Sequence, residues 1–248
     1  MEDRALNNAE RFLNAYSAIE HEMERLLNLK EHRRFFELVD RSSRISPVIE
    51  RYRFDLKEYS ELRNAIVHDR AGGDIIATPT DQVVGKIERI AELLLEPPRV
   101  APLFLKEVLA FKCTYPVARA IRALSRMSFT QAPVLDDDEK TVCLITSNML
   151  VKWIGLSLEE GHFDLENTTV QQVADRVSHE ENYEIVSVNQ SLFDIPNLFY
   201  RWQQEGRKLE AVLITQHGER GEKLLGIITN RDLPRVHREL EVNNQNRD

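Results

Sequence analysis

The 248-residue sequence predicts an α+β protein, with an all-helical N-terminal bundle followed by two α/β repeats built in the same order. Three observations carry this. Up to Glu96-Pro97-Pro98, apolar residues recur at three-to-four spacing, the period of an amphipathic helix, and the proline pair then ends the pattern. Beyond it, short apolar runs alternate with helical segments. Two of those runs, Thr141 to Thr146 and Leu224 to Thr229, end in a threonine that opens a helix, and the two threonines stand 83 positions apart.

In the N-terminal part, Leu6, Ala9, Phe12, Leu13, Tyr16, Ile19, Met23, Leu26 and Leu27 form one face of a long first helix. Shorter helices are expected around Arg33 to Val39 and Pro47 to Arg53. A stronger one runs from about Lys57 to His68 and ends before Gly72-Gly73. The last extends from Thr80 or Asp81 to Leu95, behind the start signal Thr78-Pro79-Thr80-Asp81. Residues 1–98 are thus expected to form one bundle of four or five helices.

Each later repeat runs helix, apolar strand, polar turn, apolar strand, helix. The first uses Pro116 to Met127, Ala132 to Leu135, the acidic turn 136–140, Thr141 to Thr146, and Met149 to Ile154. The second uses Leu192 to Gln204, Ala211 to Thr215, the turn 216–223, Leu224 to Thr229, and Leu233 to Leu240. Residues 99–240 are expected to form this pair, divided into about 99–160 and 165–240, and the polar segment 241–248 has too little apolar surface to be held down.

Leu225-Gly226-Ile227-Ile228-Thr229-Asn230-Arg231-Asp232 joins an interior strand to a helix start. Amides at such a start attract anions, Asp232 can accept hydrogen bonds from a sugar diol, and Gly226 lets another backbone or a flat ring approach closely. The stretch from Gly226 to Asp232 resembles the signature of the CBS module, named after cystathionine beta-synthase: Gly, two apolar residues, Thr, two variable residues and Asp. The resemblance covers roughly residues 99 to 240 and implies a tandem pair of βαββα repeats with adenine nucleotides in the clefts between them. It implies a nucleotide site at Gly226, Thr229, Arg231 and Asp232, with ATP, ADP, AMP or S-adenosylmethionine as regulatory ligand. In the first repeat Cys143 stands at the Gly position and Met149 at the Asp position, so one competent site at most is expected. Thr229 and Asp232 serve equally well as plain helix caps, leaving a dimerisation module.

On the helix over 57–68, Tyr59, Leu62 and Ile66 share one arc, whereas Asn64 and His68 fall on the far side with Arg63 between the faces. Arg63-Asn64-Ala65-Ile66-Val67-His68 resembles the Arg, polar, three variable, His motif of the HEPN superfamily of helical bundles. That resemblance implies a metal-independent endoribonuclease in which two subunits join their Arg and His at a twofold axis. His68 would move the proton of a ribose 2′-hydroxyl, Arg63 would stabilise charge on phosphorus, and Asn64 would orient the substrate. The products would be a 2′,3′-cyclic phosphate and a 5′-hydroxyl. Arg70 stands where toxin members carry a Tyr, so that subgroup is not matched. Against this stands a purely structural bundle with Arg63 and His68 as solvated or interface groups.

The net charge of −8 opposes nonspecific attraction to nucleic acid. From Arg33 to Arg53, six arginines face three acids; this local excess could follow a phosphate backbone or form a solvated face, and the interleaved Phe35, Phe36, Tyr52 and Phe54 are expected in the core. Trp153, Trp202, Phe199 and Tyr200 are assigned to core packing or a dimer seam. Cys113 and Cys143 lack paired spacing and read as buried thiols, and the histidines at 162, 179, 217 and 237 are expected in loops or the tail, without zinc-site spacing. No long apolar run or signal-peptide core is present, so a cytoplasmic protein away from membranes is expected. These readings describe a homodimeric sensor that binds an adenine nucleotide, needs no metal, and has single-stranded RNA as a candidate substrate.

Overall fold

The computed structural model describes residues 2–29, 31–67, 77–177 and 182–241, with side chains from Asn8 onward. The chain divides into two compact units: Met1–Pro98 together with His237–Asp248, and Arg99–Val236.

The first unit contains α1 (Glu2–Leu26), α2 (Phe35–Ser42), α3 (Pro47–Arg51), α4 (Arg53–Val67) and α5 (Asp81–Leu95). Ser46 opens α3 by accepting the Ile49 N–H, with Pro47 preset for the first helical position, and Thr80 opens α5 by accepting the Val83 N–H. Phe12, Ile19 and Met23 of α1 and Val84, Ile87 and Ile90 of α5 are fully buried. Polar pairs fix their register: Asn8 Nδ2 donates to Asp81 Oδ1 at 2.8 Å, and Arg11 grips both carboxylate oxygens of Glu88 at 2.8 and 2.6 Å. Tyr16 stacks on Phe35 at 4.1 Å, and Phe12 meets Tyr59 edge-on at 5.7 Å.

Two expectations for this unit need correction. Helix α4 begins at Arg53, four residues earlier than expected, and Arg53 and Lys57 together hold Asp40 of α2 at 2.7 Å each. Phe36 and Phe54 are exposed, by 41% and 82%, because the buried stripes of α2 and α4 run through Phe35, Leu38 and Val39 and through Leu56, Tyr59 and Ile66. Within the arginine-rich stretch, Arg33 and Arg41 lie beside Glu37 and Arg53 pairs with Asp40. The expected helix end at His68, Gly72-Gly73 and the tail 242–248 lie outside the described residues.

The second unit repeats one plan. Its first half runs β1 (Phe111–Lys112), α6 (Val117–Met127), β2 (Gln131–Leu135), β3 (Thr141–Thr146) and α7 (Ser147–Glu159). After α8 (Val170–Val177), the second half runs β4 (Tyr183–Ser187), α9 (Asp194–Gln204), β5 (Ala211–Thr215), β6 (Gly226–Thr229), a 3-10 turn (Asn230–Asp232) and α10 (Leu233–Leu240). The sheets are ordered β1-β2-β3 and β4-β5-β6, and in each the first pair is parallel and the second antiparallel. The fold is therefore an all-α unit followed by a duplicated α+β unit. Each half opens with the leading strand that a βαββα repeat implies, though the residue-by-residue order did not place it, and α8 is a further addition whose Val170, Val173 and Ala174 complete the first core around Trp153.

The two halves interlock. Leu144 of β3 packs with Tyr183, Ala211 and Leu213 of the other sheet, Gln131 Nε2 donates to the Glu210 carbonyl at 3.0 Å, and Lys223 pairs with Glu139 at 2.8 Å across the hairpin tips. Helix α10 starts in this unit and ends in the first, where the Tyr52 hydroxyl donates to the Leu240 carbonyl at 2.8 Å. His237 accordingly lies in a helix, not in a tail.

Candidate functional site: a cavity between the two halves

The site is built around β6. The segment entering the second unit runs alongside this strand: Leu105 pairs antiparallel with Gly226, and the Lys106 N–H donates to the Leu225 carbonyl at 3.2 Å. A Cβ on Gly226 would lie 2.2 Å from the Phe104 carbonyl oxygen, so glycine is required for this approach. Gly226 admits a neighbouring backbone and does not line the cavity beside it.

Immediately downstream, the Thr229 N–H and hydroxyl both donate to Asp232 Oδ2, at 2.8 and 2.9 Å. This reciprocal turn leaves Asp232 Oδ1 to face Lys106 Nζ at 3.8 Å, a long pair between an exposed ammonium and a partly buried carboxylate. Arg231 reaches across to the first half, where its Nη1 donates to the Ser128 carbonyl at 3.3 Å. Ser128 can present that carbonyl because it caps α6 in the left-handed conformation, with φ 55°.

Thr229, Arg231 and Asp232 border a cavity of about 300 Å3. Its opposite wall is Met127, Phe129, Thr130 and Gln131 from the first half, and Ile227 with the segment 106–109 completes it. Met127 and Phe129 are 52% and 43% exposed, apolar groups left uncovered where the cavity opens. The arrangement combines an apolar face for a flat ring, a carboxylate oxygen for hydroxyl donors, and two cations.

The corresponding turn of the first half lacks this chemistry. Thr146 accepts the Met149 N–H at 3.2 Å as a cap, but Met149, at the carboxylate position, is buried in the first core. Cys143, at the glycine position, is half-buried, and burial pushes its thiol up to about 12. Both cysteines are free and intermediate in exposure, less enclosed than expected.

Of the other candidates, Arg63 and Asn64 are adjacent near the end of α4, with Arg63 Nη1 donating to Asn64 Oδ1 at 3.4 Å. Among the described residues Arg63 has no carboxylate partner. His68 lies outside the described residues, as does His179. Trp153 is buried and stacks on Phe163 at 5.4 Å, while the Trp202 indole N–H donates to Glu184 at 2.7 Å and lies under Arg207. Tyr200 is 62% exposed, because Phe199 and Trp202 take the buried face of α9. His217 sits in a turn, where its N–H and ring nitrogen hold the Glu222 carboxylate and lower it to about 2.

Sequence reasoning singled out Thr229, Arg231 and Asp232 but missed Lys106, Met127, Phe129 and Gln131. Their only signal was position: they lie just before or at the start of strands of the opposite half, and pairing one repeat's turn with the other repeat's strand entry would have found them. Among the described residues, no helix is long and apolar enough to cross a membrane, and no group of three or more His, Cys, Asp or Glu side chains is placed to hold a metal ion.

No family model matches the chain, and no curated protein does. Solved structures of CBS-domain proteins align with it. CBSX2 in complex with AMP is 16% identical over 57% of this chain and 97% of its own, with a TM-score of 0.44. CbpB in complex with c-di-AMP is 16% identical over 62% and 93%, with a TM-score of 0.45. The CBS domain pair of protein MJ0100, in complex with 5-methylthioadenosine and S-adenosyl-L-methionine, is 14% identical over 58% and 99%, with a TM-score of 0.42.

Proposed function

We propose that this chain is a ligand-sensing regulatory protein, in which a CBS pair binds an adenine nucleotide between its halves and the N-terminal bundle responds. The observation that carries it is the convergence of Asp232, Arg231, Lys106 and an apolar wall on one cavity of about 300 Å3. Small-molecule sites run from about 300 to 1,000 Å3, so a single nucleotide matches this volume better than a dinucleotide. The base would lie against Met127, Phe129 and Ile227. Asp232 Oδ1 would accept from the ribose hydroxyls, and Lys106 and Arg231 would take the phosphate. The ligand can bias the bundle only by as much as it prefers one arrangement of the unit over another.

Thermal shift and calorimetry with ATP, ADP, AMP, S-adenosylmethionine and cyclic dinucleotides test this, because a ligand that binds the folded form raises its melting temperature. Heat of binding is expected for at least one adenine nucleotide and is expected to vanish in Asp232→Ala. Unchanged affinity in that variant would overturn the site. Light scattering is expected to give twice the chain mass, since both proposed modules work as twofold assemblies.

A second role concerns the bundle. Arg63, with no carboxylate partner among the described residues, is a guanidinium available to a phosphate, as a HEPN-type metal-independent endoribonuclease would require with Asn64 and His68. Cleavage of single-stranded RNA in the presence of a chelator, lost in His68→Ala with the fold intact, supports it. Full activity in that variant overturns it.

A further inference from the structure

We infer that occupancy of the cavity is transmitted to the helical bundle through two chain segments that both originate at its wall, with the Lys106–Asp232 pair as the contact a ligand replaces. This deepens the nucleotide-site proposal and rests on it.

The first segment is the strap from Arg99 to Lys106, continuous with the end of the bundle at Pro98. It is bound to the second half along its length. The Val100 and Ala101 N–H groups donate to the Gln190 and Val188 carbonyls, and Leu105 and Lys106 pair with the edge of β6. Its last residue reaches Asp232. The second segment starts at Asp232 itself, which ends the 3-10 turn from which α10 runs to Leu240, and the part of α10 from His237 onward groups with the bundle. The two segments touch: the Arg235 guanidinium of α10 lies over the Phe104 ring of the strap, 5.2 Å from its centroid.

The chemistry of the cavity makes this link responsive. Lys106 and Asp232 satisfy one another only weakly, at 3.8 Å with side chains 47% and 23% exposed. A nucleotide offers each a better partner, a phosphate for the ammonium and hydroxyls for the carboxylate. Lys106 then moves relative to Asp232. Because the Lys106 N–H is bonded to the Leu225 carbonyl and Leu105 is paired with Gly226, the strap is tied to the sheet edge, and the shift passes along it and, through Phe104 under Arg235, into α10.

The test is amide hydrogen exchange on the full chain, with AMP and with S-adenosylmethionine, in wild type and in Arg235→Ala. Arg235 is exposed and outside the cavity wall, so its replacement is expected to leave the dissociation constant unchanged. In wild type, the binding ligand is expected to alter exchange at residues 99–105 and 237–241 as well as at the cavity. In Arg235→Ala the change at 237–241 is expected to shrink while that at the cavity persists. Binding with exchange altered at the cavity alone overturns the link and leaves the nucleotide site standing, whereas a full response at 237–241 in Arg235→Ala overturns the passage from strap to α10 through the Arg235–Phe104 contact. Absence of binding by AMP and S-adenosylmethionine, and by ATP, ADP and cyclic dinucleotides in the same titrations, overturns the site and the link together.

Discussion

Replacing Gly226 by alanine puts the fit of the strap to the sheet to a direct test. The added Cβ would stand 2.2 Å from the Phe104 carbonyl oxygen and 3.0 Å from Ile214 Cδ1. The isoleucine tip can rotate away, but the carbonyl is backbone, so reaching even 3.0 Å requires the strap to retreat by about 0.8 Å. Overpacking of this kind costs about 1–3 kcal/mol, and loss of the 3.2 Å hydrogen bond from Lys106 N–H to Leu225 adds about 0.5–1.5 kcal/mol. A total of about 1.5–4.5 kcal/mol corresponds to a fall in melting temperature of roughly 3–18 °C for a chain of this size. Thermal denaturation followed by circular dichroism reads it, and nucleotide affinity should fall with it because Lys106 rides on the displaced segment. A variant that melts with the wild type and binds as tightly would refute the contact and the role assigned to the glycine.

Three further outcomes are expected. Lys106→Met should weaken AMP by about tenfold, about 1.4 kcal/mol, while leaving adenosine unaffected, since only the phosphate gains from the ammonium; equal losses for both ligands by calorimetry would contradict this. Glu222, held by His217, lies below its ordinary value of 4.5 in the folded state, so the stability it contributes is present above 4.5 and fades as pH falls towards about 2; Glu222→Gln should remove that part of the acid dependence in thermal melts between those limits. Cys143, raised to about 12 by burial, has negligible thiolate at neutral pH, and a disulfide reagent should modify it slowly until denaturant is added; rapid reaction in the native protein would show the position to be open.

Much of this architecture was legible in the residues. Strands β3 and β5 and helix α10 fall on their expected bounds because long apolar runs ending in Thr, or an amphipathic turn after Asp232, leave few alternatives. Strand β1 was invisible because it is two residues long. In β4, Glu184 interrupts Tyr183-Glu184-Ile185-Val186, and its partner β5 is distant in sequence, so the strand is defined by pairing and not by local pattern. Helix α8 spans two turns, too few for periodicity to mark it. The need for a glycine at 226 followed from the sequence, but the backbone that presses on it did not, because Phe104 lies more than a hundred residues earlier. The same distance hid Lys106, whereas Thr229 and Asp232 sit in one turn and announced themselves.

Met149, buried where the later half has Asp232, leaves a symmetric plan with two unlike turns. With one half able to present a carboxylate and the other burying a thioether, the proposed nucleotide site occurs once per chain. Its saturation curve should be hyperbolic, and any steepness in the response must arise between copies of the chain.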